Sequence, residues 1–137
     1  MGTNIRPEIS KRSSYWISRH RFYELKHFCL QYPEWKEELK MISLMGSPYS
    51  EKIGKSAGPS DPVLTAVLRR ELLTDHLDMV DKAAKACSED LGNYIFKGVT
   101  EGISYEYLTA RMDVPCCKET YYESFRRFFW ILSKLRK

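Results

Sequence analysis

Apolar residues recur along this chain at spacings of three and four, which is the period of amphipathic α-helices. Few stretches alternate with the period of two that strands require. The pattern therefore predicts an all-α protein, a helical bundle with a C-terminal helix-turn-helix. The predicted helices cover residues 14–31, 33–45, 62–87 and 88–102, and two further helices follow in the C-terminal third.

The two N-terminal helices each show one apolar face. The first face contains Tyr15, Phe22, Leu25, Cys29 and Tyr32. Pro33 ends the first helix and opens the second, because a missing N–H costs nothing in a first helical turn. The apolar face of the second helix is predicted to contain Trp35, Leu39, Ile42 and either Leu44 or Met45.

The segment at residues 46–62 is rich in Gly, Pro and Ser and is predicted to be a loop. Ser60 or Asp61 is expected to cap the helix that begins at Pro62. We therefore divide the chain into an N-terminal helical segment with a flexible loop, 1–61, and a unit at 62–137 that holds the long central helix and the helix-turn-helix.

The long helix carries apolar residues with the 4, 3, 4, 3 spacing of a coiled-coil seam. They are Leu73, Leu77, Val80, Ala84 and Cys87. One interpretation is a homodimer interface. Packing inside the monomer is favoured instead, because the seam covers only about two heptads and ends in small residues.

Residues 103–137 have the parts of a helix-turn-helix. Ser104 caps a short supporting helix whose apolar face is predicted to contain Tyr107, Leu108 and Met112. Pro115 forces the residue before it out of helical geometry, which makes a turn at 113–117. A second helix begins near Lys118 and places Tyr122, Phe125, Phe129 and Leu132 toward the core.

The outer face of this second helix is the candidate DNA-binding site. Its N-terminal polar residues would reach base edges or phosphates, and its arginines would reach the sugar–phosphate wall or guanine. No acidic residue follows Glu123, whereas several cations do. The predicted site residues are Lys118, Glu119, Thr120, Tyr121, Ser124, Arg126 and Arg127.

The segment from Gly102 to Leu135 resembles region four of bacterial sigma factors and, more closely, phage-encoded transcriptional regulators of the RinA/ArpU type. The matching features are Ile103 to Glu106, Leu108, the Val114–Pro115 turn, Thr120 to Tyr122 and the Arg126–Arg127 pair. The resemblance implies that the second helix reads DNA and that the protein activates late phage genes. One departure is Glu119, which stands where sigma region four has an apolar residue.

Composition is that of a folded protein, and the charge distribution suggests two cationic faces. The sequence pI of about 8.8 is below the usual value for a nucleic-acid-binding domain, and an ordinary solvated surface is the alternative interpretation. The net charge is +4, and residues 1–60, 61–100 and 101–137 carry +4, −2 and +2. The sequence shows no apolar signal-peptide core and no membrane-spanning run, and its four cysteines form no regular disulfide framework. We expect reduced thiols, a cytoplasmic location and no membrane partner.

Enzymatic chemistry is not expected, and neither a cofactor nor a metal. Gly54-Lys55-Ser56 lacks the first glycine of a P-loop, and the histidines lack zinc-ligand spacing. Cys116 and Cys117 near a helix N-terminus could form a redox switch, which we consider the weaker interpretation. Two other functions stay open. One is a protein-interaction module whose basic end, Arg126 to Lys137, would dock an acidic surface such as one on RNA polymerase. The other is a DNA-packaging protein like a small terminase subunit.

Overall fold

The computed structural model describes residues 15–45 and 62–136. All regular structure in these residues is helical, which confirms the all-α prediction. The predicted loop and its capping residues, Ser60 and Asp61, lie outside the described residues. The helices are α1 (Arg19–Leu30), α2 (Tyr32–Met45), α3 (Pro62–Cys87), α4 (Gly92–Glu101), α5 (Tyr105–Met112) and α6 (Lys118–Leu135).

The helices are distributed between two compact units. Among the described residues, one unit contains 15–31 and 79–136, and the other contains 32–45 and 62–78. The sequence-based division put a boundary between residues 61 and 62, whereas each of these units combines segments from both sides of that boundary. The difference arises because α1 packs against α4 and α6 of the C-terminal part.

Aromatic and aliphatic side chains from α1, α4 and α6 form the core of the first unit. Phe22 of α1 lies edge-on to Phe129 of α6, with ring centroids 5.1 Å apart. Ile95 and Val99 of α4 are buried in the same unit. Gly102 ends α4 with a left-handed φ of 69°, as its position after the last apolar residue predicted. This core supports the inner face of α6.

An ion pair and an aromatic contact join α2 and α3 in the second unit. The Arg69 guanidinium donates to both carboxylate oxygens of Glu38, at 2.6 and 2.8 Å, and this bond lowers the Glu38 pKa. Trp35 is buried, and its ring lies 4.9 Å from that of His76. Of the two residues offered for the last position of the apolar face, Leu44 does not belong to it. Its side chain is 73% exposed because it lies about 200° around the helix from Ile42.

The predicted seam on α3 is buried within a single chain. Leu73, Leu77, Val80, Ala84 and Cys87 are all at most 9% exposed. This confirms packing inside the monomer and removes the seam as a surface for a homodimer.

The helices were also compared with the requirements of a membrane span, and the cysteines with those of a disulfide. No helix in the described ranges has the length and apolarity that a membrane span requires. All four cysteines are free thiols, and Cys29 and Cys87 are buried.

Candidate nucleic-acid interface

Helix α5 begins at a serine cap, as predicted. The Ser104 hydroxyl accepts a hydrogen bond from the Tyr107 backbone N–H at 3.2 Å. Leu108 is fully buried and anchors the helix. The prediction that Tyr107 and Met112 also face the core was wrong, since they are 49% and 37% exposed. Eight residues are two turns of helix, which present only a narrow face to the core.

A tight turn separates α5 from α6. Asp113 adopts a left-handed conformation, φ 58° and ψ 61°, and its N–H donates to the Thr109 carbonyl. Aspartate tolerates this region better than most residues with a Cβ. Val114 is buried beneath the turn, as the Val114–Pro115 pair predicted. The chain direction between the two helices is therefore fixed by local chemistry.

Tyr105 holds the turn against α6, a role that sequence reasoning missed. Its hydroxyl donates to the Cys116 carbonyl at 2.7 Å. Its ring centroid lies 5.3 Å from that of Tyr121 and 6.3 Å from that of Tyr122. The only available signal was a tyrosine directly after a capping serine, which does not reveal a bond to a carbonyl eleven residues away.

The inner face of α6 is wider than predicted. Tyr122, Phe129 and Leu132 are buried as expected, but so are Tyr121 and Phe128. The placement of Tyr121 on the outer face was therefore wrong, because only 1% of its surface is exposed. Tyr121 and Phe128 are seven residues apart and share one side of the helix. A groove of DNA cannot reach the Tyr121 side chain in this conformation.

The outer face of α6 presents the remaining predicted residues to solvent. Lys118, Glu119, Thr120 and Arg127 are exposed, and Ser124 and Arg126 are half-buried. The helix carries four Lys or Arg and two Glu, a net charge of +2. Both glutamates lie in its first two turns, so the cationic end of this face is the C-terminal one.

Lys118 is paired with the supporting helix. Its ammonium lies 2.8 Å from the Glu106 carboxylate, and the two side chains are 48% and 55% exposed. The hydrogen bond raises the pKa of Lys118 and lowers that of Glu106. Such an exposed pair is weak, so a phosphate could replace Glu106 as the partner of Lys118.

A polar recess of about 260 Å³ borders the outer face of α6. Thr120, Ser124 and Arg127 line it together with Cys87 at the end of α3. Burial raises the pKa of the Cys87 thiol to about 11, and the nearby Arg127 charge opposes that rise. Three predicted site residues thus line this recess, and Glu123 lines it as well.

The basic C-terminal end of α6 is partly occupied by internal contacts. The Arg136 guanidinium lies 4.1 Å from the centre of the Phe28 ring, and Lys134 lies 5.1 Å from that of Trp130. Arg21 of α1 donates to the carbonyls of Ser133 and Arg136 at the helix end, where cations are favoured. This end of α6 is therefore tied to α1, while Lys137 lies outside the described residues.

The two adjacent cysteines have different environments. Cys117 is exposed and occupies the N-cap position of α6, where a hydrogen bond with Thr120 lowers its thiol pKa. Cys116 is half-buried, and desolvation raises its thiol pKa. The described residues contain no cluster of side chains that could hold a metal ion.

Comparison of the chain with protein-family models, with curated proteins and with solved structures finds no match.

Proposed function

We propose that this protein binds double-stranded DNA through the outer face of α6. The observation that carries the proposal is the exposure of Lys118, Glu119 and Thr120 in the first turn of α6, directly after a fixed turn. A recognition helix must present its N-terminal side chains to base edges while its inner face is held by the rest of the fold. The buried stripe of α6 supplies that support.

Each exposed residue has a chemical role in this proposal. Lys118 and Arg127 contact phosphates, and Arg127 can also donate two hydrogen bonds to guanine. The hydroxyls of Thr120 and Ser124 reach base edges or phosphates. Glu119 accepts a hydrogen bond from a cytosine amino group, which offsets the repulsion between its carboxylate and the DNA phosphates. Tyr121 does not belong to this set, since it is buried.

The assignment to transcription depends on the resemblance described above. A phage or prophage regulator of the RinA/ArpU type would use this helix to find its operator. The resemblance covers the segment from Gly102 to Leu135, which contains α5, the turn and α6.

The position of the glutamates favours a second candidate function. Glu119 and Glu123 make the first two turns of the exposed face acidic, which suits a basic protein surface better than phosphates. The two functions differ in duplex affinity, because a pure protein-interaction module would have none.

Selection of bound sequences from random duplexes, using the full chain, tests the proposal. We expect enrichment of one motif, and about tenfold weaker binding of that motif by Lys118→Ala and Arg127→Ala. Lys82→Ala serves as the control, because Lys82 is exposed on α3 and lines neither the recess nor the outer face of α6. Selection of no motif, or equal binding by all variants, would contradict the proposal.

The ion pair between Lys118 and Glu106 provides a test in which duplex affinity should rise instead of fall. Glu106→Gln releases Lys118 and removes one negative charge beside α6. We expect duplex binding to become about two- to fivefold tighter, with a larger gain at low salt. Weaker binding by this variant would mean that the pair orients Lys118 instead of competing for it.

A further inference from the structure

The N-terminal part of α3 is apolar on every side, but much of it is exposed. Residues 62–68 contain one polar side chain, that of Thr65. A helix that is apolar all round is normally buried all round. The side of α3 that holds the seam is buried inside the chain, whereas another side is not. The exposed side chains there, each between 43% and 55% exposed, are those of Leu64, Val67, Leu68 and Leu72.

Exposed apolar side chains are concentrated in this part of the chain. Seven of the eleven large apolar side chains that are exposed in the described ranges belong to the second unit, which contains fewer than a third of those residues. Single exposed apolar side chains are ordinary on a protein surface, whereas clusters of them mark interaction sites. The regular part of this cluster is a row on α3 that consists of Leu64, Leu68 and Leu72, and we refer to it as the α3 ridge.

Residues 1–14 and 46–61 offer little apolar surface with which the same chain could cover the α3 ridge. These 30 residues are mostly small, polar or charged. Their large apolar side chains are those of Met1, Ile5, Ile9, Tyr49 and Ile53. None of these five is three or seven residues from another, so neither segment has the spacing of an amphipathic helix that could pack on the ridge. The occupant of the ridge is therefore sought on another molecule.

A second copy of the chain carries a surface that fits the α3 ridge. Side chains four residues apart form a row along a helix, and the commonest packing of two helices interlocks such rows. When two α3 helices lie antiparallel with a two-fold axis beside Leu68, Leu64 of one copy meets Leu72 of the other. Every contact between the two rows then joins leucine to leucine.

The charge beside the α3 ridge favours the antiparallel direction. Glu71 is exposed and lies near the C-terminal end of the ridge. In a parallel pair of helices this carboxylate would face its own counterpart and repel it. In the antiparallel pair it lies near the N-terminal end of the other α3, where the partial positive charge of the helix stabilises an anion.

We infer that the chain forms a homodimer through the α3 ridge, with the two α3 helices antiparallel. The half-exposed side chains of the ridge and Val67 supply less than the roughly 800 Å² that each partner contributes to an interface of standard size. The association is therefore weak and reversible. It does not depend on the proposed function. A dimer carries two copies of α6, so its selection of a DNA motif with two half-sites does depend on that function.

Sedimentation velocity of the full chain, from about 1 µM to about 1 mM, tests this inference over the range of weak affinities. We expect the average mass to rise from that of one chain to that of two and no further, because a two-fold contact closes on itself. Leu68→Lys places two like charges at the axis and should raise the dissociation constant at least about tenfold. Leu135→Lys is the matched control, since this leucine is 40% exposed on α6 in the first unit, and it should leave the constant unchanged.

A third variant tests the direction of the helices. Glu71→Gln should weaken the dimer about threefold, because each carboxylate loses its interaction with the N-terminal end of the other α3. Tighter association would overturn the antiparallel arrangement. Circular dichroism verifies that each variant is folded.

Three results would overturn the homodimer itself. One is a chain that stays monomeric at the highest concentration, whether another part of the chain or a different protein covers the ridge. The second is growth beyond the dimer. The third is a dissociation constant that Leu68→Lys leaves unchanged.

Discussion

The contact between Gly98 and Tyr121 gives a stability prediction that depends on a single oxygen atom. In Gly98→Ala, the new Cβ would lie 2.6 Å from the Tyr121 hydroxyl, about 0.8 Å less than the 3.4 Å of an ordinary contact. The other near atoms, the Ile103 carbonyl oxygen and a Leu108 methyl, would be 3.4 and 3.5 Å away. The hydroxyl is therefore the atom that must move.

The expected magnitude follows from two opposing terms. Overpacking a core typically costs about 1–3 kcal/mol. Replacing glycine with alanine in a helix interior stabilises by up to about 1 kcal/mol. We expect Gly98→Ala to lower the free energy of unfolding by about 1 kcal/mol, which is roughly a 4 °C decrease in Tm for a chain of this size.

Removal of the Tyr121 hydroxyl should reverse the sign of the stability change that Gly98→Ala causes. In a Tyr121→Phe background, the new alanine no longer meets the oxygen. The higher helix propensity of alanine then dominates, and we expect Gly98→Ala to stabilise the protein by about 0.5–1 kcal/mol. Urea titrations of the four proteins, followed by circular dichroism, give the coupling energy between the two positions. An equal effect of the alanine in both backgrounds would refute the contact.

Three further predictions concern the turn and the core. Phe129→Ala, which removes a ring that is 1% exposed, should lower the free energy of unfolding by about 3–5 kcal/mol, and an unchanged urea midpoint would contradict the packing. Tyr105→Phe should cost about 1 kcal/mol, because the carbonyl at residue 116 loses its donor, with helix content unchanged by circular dichroism. Iodoacetamide at neutral pH should modify Cys117 faster than Cys116, since the lowered pKa gives Cys117 more thiolate. Thr120→Val should reduce this difference in rate. Equal rates for the two cysteines, measured by peptide mass spectrometry, would argue against the Thr120 hydrogen bond.

The sequence predicted the helices best where local chemistry decides them. The bounds of the long helix, Pro62–Cys87, were predicted to the residue because a proline opens it and the seam ends at a buried cysteine. The Ser104 cap and the turn before Lys118 were also correct, since both depend on neighbouring residues. The start of α1 was predicted at residue 14, but the helix begins at Arg19. It begins there because Ser18 is the N-cap and its hydroxyl accepts from the Arg21 N–H.

The errors concern features that only the tertiary arrangement decides. Tyrosine suits both an exposed DNA-contacting face and a core, so the pattern alone did not show that Tyr121 belongs with Phe128 on the buried side. Ser88 was predicted to cap α4 directly, but the helix begins at Gly92 with Leu91 at its N-cap position, and the Ser88 hydroxyl accepts from the Leu91 N–H. The contact between Tyr105 and the turn carbonyl and the pair between Lys118 and Glu106 join separate helices, which spacing within one helix cannot reveal.

The salt dependence of duplex binding tests the central claim most directly. The affinity of the full chain for its selected duplex would be measured by fluorescence anisotropy between 50 and 300 mM KCl, alongside a Lys118→Ala, Arg127→Ala double variant. We predict a linear fall of log affinity with log salt, and a slope that is smaller in the double variant by about two, one for each lost phosphate contact. Absence of duplex affinity at the lowest salt, or identical slopes for the two proteins, would contradict the assignment of the outer face of α6 to DNA.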